Sequence, residues 1–276
     1  MFLLKKIKIP FYKGDEMNID KLIDQLVLGI ENNEFLPFIQ PIIDVSTQEF
    51  IGGEILIRWN NPRIGLILPE KFISTAEVSG LIIPITEQLM SNVSFILKHS
   101  CYHASKEFII SFNLTEKQLI DINIVNACQV FLNELSECNI SLMLELIEGD
   151  EFLHNNEILK LRIEALKKMG IKLALDDFGI GYTKYNLLQF LEIDYIKIDK
   201  SFIQGIDSDK ASNQIIDSFS YLFKRLNVKI IAEGIEEKWQ EDYLKRNNIV
   251  FLQGYRYGKP IDLELFLFKN NHCNLL

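Results

Sequence analysis

Residues 35–59 read FLPFIQPIIDVSTQEFIGGEILIRW. Two β-like runs, 35–44 and 50–59, are joined only by Val45-Ser46-Thr47-Gln48-Glu49. A parallel crossover takes about a dozen residues or more, so these two strands pair as an antiparallel hairpin. A helical stretch at about 18–33 precedes it. Six more apolar runs follow, at 107–114, 142–148, 172–177, 195–199, 229–233 and 250–255. Each is rich in Ile, Leu, Val or Phe, as strands buried on both faces should be. Helix-like segments at 69–98, 115–137, 151–169, 208–227 and 237–248 separate most of them; in the third, Leu159, Ile163 and Leu166 mark one helical face. Strand–helix alternation reaching eight strands points to an α/β barrel, with the hairpin as its one irregular joint.

The chain has 276 residues, 48% hydrophobic and 24% charged, enough to bury a large core without disulfide or metal staples. Residues 1–17 read as an N-terminal tail or linker, 18–270 as one domain and 271–276 as a C-terminal tail. Cys101, Cys128, Cys138 and Cys273 form no CxxC pair and read as reduced thiols. The net charge of −9 argues against nucleic-acid binding, which needs a basic footprint. It leaves room for an anionic substrate where acidic side chains hold cations. No apolar run approaches the roughly 20 residues of a membrane span. The opening MFLLKKIKIP lacks the order of a signal peptide, so the expected location is cytoplasmic.

Polar residues recur near the C-terminal ends of the runs: Glu54, Asn113, Glu145, Asp176 with Asp177, Lys197, Glu233 and Gln253. A barrel gathers those ends on the face where active sites of this architecture are built. Five carboxylates in one pocket repel each other unless cations neutralise them, and oxygen ligands suit Mg²⁺, Mn²⁺ or Ca²⁺. The adjacent Asp176 and Asp177 suit a bridge between two ions about 3.5–4 Å apart, and Lys197 suits orienting water or stabilising developing charge. Singly, each has a plainer reading: a solvated Glu, an Asp-Asp-Phe-Gly turn, a Lys197–Asp199 ion pair on one strand face. Seven such ends in register are much harder to explain that way.

The same residues carry a resemblance. Glu54-Ile55-Leu56-Ile57-Arg58-Trp59, PEKFISTAEVSGLI at 69–82, Phe112-Asn113-Leu114-Thr115 and Leu144-Glu145-Leu146-Ile147-Glu148 appear in order. Asp176-Asp177-Phe178-Gly179, Lys197-Ile198-Asp199, Ala232-Glu233-Gly234-Ile235-Glu236 and Gln253-Gly254-Tyr255 complete the set. From about 35 to 260 the chain resembles the EAL domain, the cyclic di-GMP-specific phosphodiesterase family. The resemblance implies a modified TIM (β/α)8 barrel with an antiparallel first strand, Mg²⁺- or Mn²⁺-dependent conversion of cyclic di-GMP to pGpG, and a homodimer. It implies Glu54, Asn113, Glu145 and Asp176 as ligands of one metal, and Asp176 with Asp177 as ligands of the second. Lys197 and Glu233 would hold and activate the attacking water with Gln253 in support; Glu148 would steady the loop after Asp177 and Glu236 the site from the seventh strand. Gln40, Leu56 and Arg58 would contact the dinucleotide. A non-hydrolysing EAL domain, acting as a cyclic di-GMP receptor or protein-interaction module, is the alternative; an unknown regulatory protein is a further expected partner.

The chain departs from the family pattern at Ile55, where Ala is usual, and at Ile147, Ile180 and Lys184, where hydroxyls are usual. By the resemblance, these changes would touch the second metal and the dimer contact. His99, Cys101 and His103 lack a fourth ligand at zinc-like spacing and read as a surface helix end. Phe178 and Tyr182 are the aromatics expected near the ligand, and the lysines of the N-terminal tail are expected in solvent.

Overall fold

The computed structural model describes residues 19–100, 106–147, 157–180, 184–206 and 210–271. Its strands are β1 (Phe35–Asp44), β2 (Glu49–Asn61), β3 (Gly65–Ile67), β4 (Phe108–Thr115), β5 (Ile140–Ile147), β6 (Lys172–Phe178), β7 (Tyr195–Ile198), β8 (Lys229–Ala232), β9 (Phe251–Gln253) and β10 (Ile261–Asp262). The short 45–48 connection makes β1 and β2 the expected antiparallel hairpin, paired from Phe35↔Trp59 to Asp44↔Glu49. From β2 the sheet runs parallel through β4, β5, β6, β7, β8 and β9. It closes where β9 meets the other edge of β1, again antiparallel, at Ile42↔Gln253. Eight strands therefore make a modified TIM barrel whose first strand is reversed. β3 and β10 are short additions to β2 and β1 that the hydrophobic pattern did not indicate.

Each barrel strand alternates between two cores, which is why the runs look apolar throughout. Ile110, Phe112, Leu142, Leu144, Leu173, Leu175 and Ile196 face outward onto helix residues such as Val93, Phe131, Ile163, Leu166, Ile216 and Phe223. Ile42, Ile109, Met143, Ala174, Tyr195 and Ile231 face inward and fill the barrel floor as a separate cluster. The hairpin packs closely: a Cβ at Gly53 would meet the Ile39 side chain at 2.5 Å, and one at Gly52 would collide with the Ile109 carbonyl. A third cluster, with Phe35, Trp59 and Phe72 rings in mutual contact, fixes the helix Ile19–Glu31 beside the hairpin.

Two helical stretches are broken where the pattern suggested continuity. Gly80, at φ 76°, ends the helix Ile73–Ser79, and the chain turns by 117° into Ile82–His99. Asp121 accepts a hydrogen bond from the Asn123 amide and starts Ile122–Glu134 directly after Glu116–Ile120. No single helix among the described residues is long and apolar enough to cross a membrane.

Candidate active site

The floor residues and the polar strand ends lie on the same inward faces, two positions apart. Met143 leads to Glu145, Ala174 to Asp176, Tyr195 to Lys197 and Ile231 to Glu233. Asn113 stands beside Glu145 in the β4–β5 register, and Gln40 opposite Glu54 in the hairpin. At the centre is Lys197, 1% exposed. Its Nζ lies 2.5 Å from Glu145, 2.6 Å from Glu233, 3.0 Å from Glu54 and 3.2 Å from Asp176. The alternative Lys197–Asp199 ion pair is overturned: Asp199 instead caps the helix Lys200–Gln204 through the Ser201 amide at 2.8 Å, and hydrogen-bonds with Asp177.

One cation does not balance these acids. Burial works against the Lys197 charge, yet Asp176, Glu145, Glu233 and Glu54 together hold it well above the usual lysine range. Burial and the neighbouring Glu54 push Glu145 well up despite Lys197. For Glu54 the burial is outweighed by Lys197 and by hydrogen bonds from Gln253 and Asn113, leaving its carboxyl lowered. Glu233 is pushed up to about 7 by burial, opposed by Lys197 and reinforced by Asp176 and Glu54. The site thus holds more negative charge than it can stabilise alone.

Its unused lone pairs point the same way. Asn113 donates to Glu54 at 2.5 Å and Gln253 donates to Glu54 at 3.0 Å. That leaves Asn113 Oδ1, Glu145 Oε1 and Gln253 Oε1 buried with no hydrogen-bond partner among the described residues. Unpaired buried acceptors cost about 1–3 kcal/mol each, and an oxygen-only set is what hard divalent cations bind. The donor set fits such an ion.

Asp176 and Asp177 need a device to act together, because successive strand residues face opposite sides. The pairing of β6 with β7 slips by one residue between Leu175 and Phe178, and Asp177 has φ 46°. This bulge, of the kind that re-aims side chains beside active sites, turns Asp177 toward the mouth. Carboxylate oxygens of Asp176, Asp177 and Glu233 then lie within 4.8 Å of one another. The chain then turns through Gly179, at φ 101°, where a Cβ would meet the Phe202 ring at 2.5 Å.

Two cavities open at this mouth and share Leu56 and Asp176. One, of about 320 Å³, is polar and is lined by Gln40, Glu54, Lys197, Glu233, Glu236, Gln253 and Tyr255 among others. The other, of about 390 Å³, runs between β2, β4 and the helices Ile73–Ser79 and Ile82–His99; Ile55, Phe112, Ile147 and Asp177 line it.

The EAL domain family matches residues 23–260. The chain belongs to the EAL domain family. Similar curated proteins include the probable cyclic di-GMP phosphodiesterase PdeG of Escherichia coli K12, 38% identical over 84% of this chain and 46% of the relative. The cyclic di-GMP phosphodiesterase PdeL of the same organism is 36% identical over 88% of this chain and 67% of the relative. Against PdeG the chain therefore spans about half the relative's length. Among solved structures, the EAL enzyme Bd1971 in a form bound to cAMP and cyclic di-GMP has TM-score 0.79 and 28% identity, covering 91% of this chain and 68% of that one. The PaMucR phosphodiesterase in complex with cyclic di-GMP has TM-score 0.75 and 29% identity, covering 89% and 99%.

In this EAL domain Glu54, Asn113, Glu145, Asp176, Asp177, Lys197, Glu233 and Gln253 converge on one mouth. Gln40, Leu56 and Glu236 line its cavities. Arg58 shares the β2 face of Glu54 and Leu56, with its guanidinium 5.4 Å from the Phe38 ring centre and one donor on the Ile57 carbonyl. Glu148, Tyr182, Cys101 and His103 fall outside the described residues. His99 is an exposed helix end stacked on Phe95, as expected. Phe178 is a correction: it is fully buried against Phe219 and Phe223, on the outward side of β6 and away from the cavities. Tyr255 is the aromatic that lines the polar cavity instead; Gln-Gly-Tyr was its only signal, read for Gln253 alone.

Proposed function

We propose that this EAL domain hydrolyses cyclic di-GMP to linear pGpG in the cytoplasm, with Mg²⁺ or Mn²⁺ held by the mouth. The observation that carries the reading is the cluster of Glu54, Asn113, Glu145 and Asp176 at the mouth, with buried acceptor atoms of Asn113 and Glu145 left unpaired. In this reading Glu54, Asn113, Glu145 and Asp176 hold one ion, and Asp176 with Asp177 hold the second. When bound, the ions supply the Lewis acidity that polarises a phosphodiester and acidifies water.

The chain's own side chains do the rest. Lys197 keeps its proton at Nζ and presents it to charge developing on the phosphate. Glu233 accepts a proton from the attacking water, and its upward shift to about 7 suits that task near neutrality. Gln253 holds Glu54 in place through its amide. Arg58 reaches toward a phosphate oxygen, while Gln40 and Leu56 support the dinucleotide in the cavities. Glu148 steadies the loop after Asp177, and Glu236 supports the site from the loop after β8. The two cavities meeting at Leu56 suit a ligand with two bases joined through a phosphate ring. A homodimer belongs to the same reading; exposed Leu161 and Phe190, on the helices flanking β6, offer apolar surface for it.

Incubation of purified protein with cyclic di-GMP and Mg²⁺ or Mn²⁺, followed by ion-exchange chromatography, tests this. The expected product is pGpG, lost on chelation. Intact dinucleotide after long incubation would overturn hydrolysis and favour the receptor alternative.

A further inference from the structure

The rim of the polar cavity is made by two loops, 233–237 after β8 and 254–258 after β9. One helix, Lys238–Arg246, holds both. Gln240 Oε1 accepts from the Glu236 amide at 2.8 Å and from the Glu237 amide at 2.9 Å, a capping box that fixes the first loop. Its neighbour Glu241 is 4% exposed, unusual for a glutamate on a short amphipathic helix. Glu241 Oε2 accepts from Arg256 Nε at 2.9 Å and from the Tyr257 hydroxyl at 3.1 Å, and Oε1 accepts from Lys238 at 2.5 Å.

The second loop has no strand ladder of its own. It is tied to the first by backbone bonds, Arg256 amide to Ile235 carbonyl at 3.0 Å and Ile235 amide to Gln253 carbonyl at 3.1 Å. A Cβ on Gly254 would collide with the Ile235 backbone, so the two loops touch main chain to main chain. The other side of the same loop faces the cavity. Gly254 and Tyr255 line it, Lys259 lies 5.1 Å from the Tyr255 ring centre, and the Gly258 carbonyl accepts from Gln40 at 3.5 Å. By drawing Arg256 and Tyr257 to one side, a buried carboxylate leaves Tyr255 on the other.

We propose that Glu241 is a positioning residue for substrate binding: through Arg256 and Tyr257 it latches the Gly254–Gly258 loop so that Tyr255 and Gln40 are presented to the ligand in the polar cavity. The inference rests on the proposed hydrolysis of cyclic di-GMP. Glu241 touches neither the ligands Glu54 and Glu145 nor Lys197, so its removal acts on KM far more than on kcat.

Steady-state hydrolysis by Glu241→Ala, Glu241→Gln, Arg256→Ala and the Glu241→Ala/Arg256→Ala pair, beside the unaltered chain, tests it. Glu241→Ala and Arg256→Ala should each raise KM roughly tenfold with kcat within about twofold. The pair should be no worse than the weaker single variant, and Glu241→Gln, which keeps an acceptor oxygen, should recover most of the loss. KM unchanged in both single variants, or additive losses in the pair, would overturn the latch. A fall in kcat together with melting temperature at constant KM would assign Glu241 to folding alone. Should Glu241→Ala fail to fold, Arg256→Ala and Glu241→Gln decide the matter. Absence of turnover in the unaltered chain would remove the hydrolysis reading and this inference with it, whereas turnover with unmoved KM removes only the latch.

Discussion

The floor and the mouth of this barrel are built by the same strands, two or four residues apart, and have opposite chemistry. Ile109, Met143, Ala174 and Ile231 fill the floor with apolar volume that needs no partner. Asn113, Glu145, Asp176 and Glu233 fill the mouth with acceptors that Lys197 only partly satisfies. The floor holds the strands at their spacing and tilt; the mouth is a strained charge cluster that such a rigid frame can carry. Stability and function should therefore separate by depth along each strand.

The largest effect that would break this separation is at Glu145. Replacing it with Gln keeps its shape and removes one of the acids that crowd around Lys197, so the melting temperature of metal-free protein should hold or rise. Turnover should fall by more than about 100-fold, beyond the 10–100-fold typical of groups that only support a ligand. Circular dichroism melts beside product assays check both halves; a large loss of stability with activity retained would invert the two regions. One layer down, Met143→Ala should cost about 2–5 kcal/mol in denaturant titration while the folded fraction keeps its kcat.

Cations should sharpen the contrast. Mg²⁺ or Mn²⁺ at about 100 times its dissociation constant should stabilise the native chain by about 2.7 kcal/mol, and Glu54→Ala should abolish that gain while the barrel still melts cooperatively. The smallest expected effect is at the boundary: Asp199→Ala removes a helix cap worth about 0.5–2 kcal/mol and a hydrogen-bonding partner of Asp177. Urea titration should show that loss; activity should fall several-fold more than the stability change explains. Equal effects on both would make Asp199 a cap only.

Much of this is legible in the sequence alone. The five-residue hairpin connection dictated the reversed first strand, since chain length alone forbids a crossover there. The strand-end acids were legible because period-two alternation carries one face of each strand from floor to mouth. What depended on tertiary register was not. The β6–β7 slip that brings Asp177 round to Asp176 belongs to no local pattern, and Lys197 finds its four carboxylates on four other strands or their ends. Phe178 follows Asp177 and looked like a site aromatic, but the same bulge sends it into the helix-facing core. No local pattern singles out Glu241, because Arg256 and Tyr257 approach it only once β9 is in place.

The most direct test of a mouth built to hold cations is calorimetric titration of Mg²⁺ or Mn²⁺ into chelator-stripped protein, beside the Glu145→Gln variant. Two ions per chain, falling in the variant, are predicted. No saturable binding, or the same stoichiometry and affinity in both proteins, would contradict it.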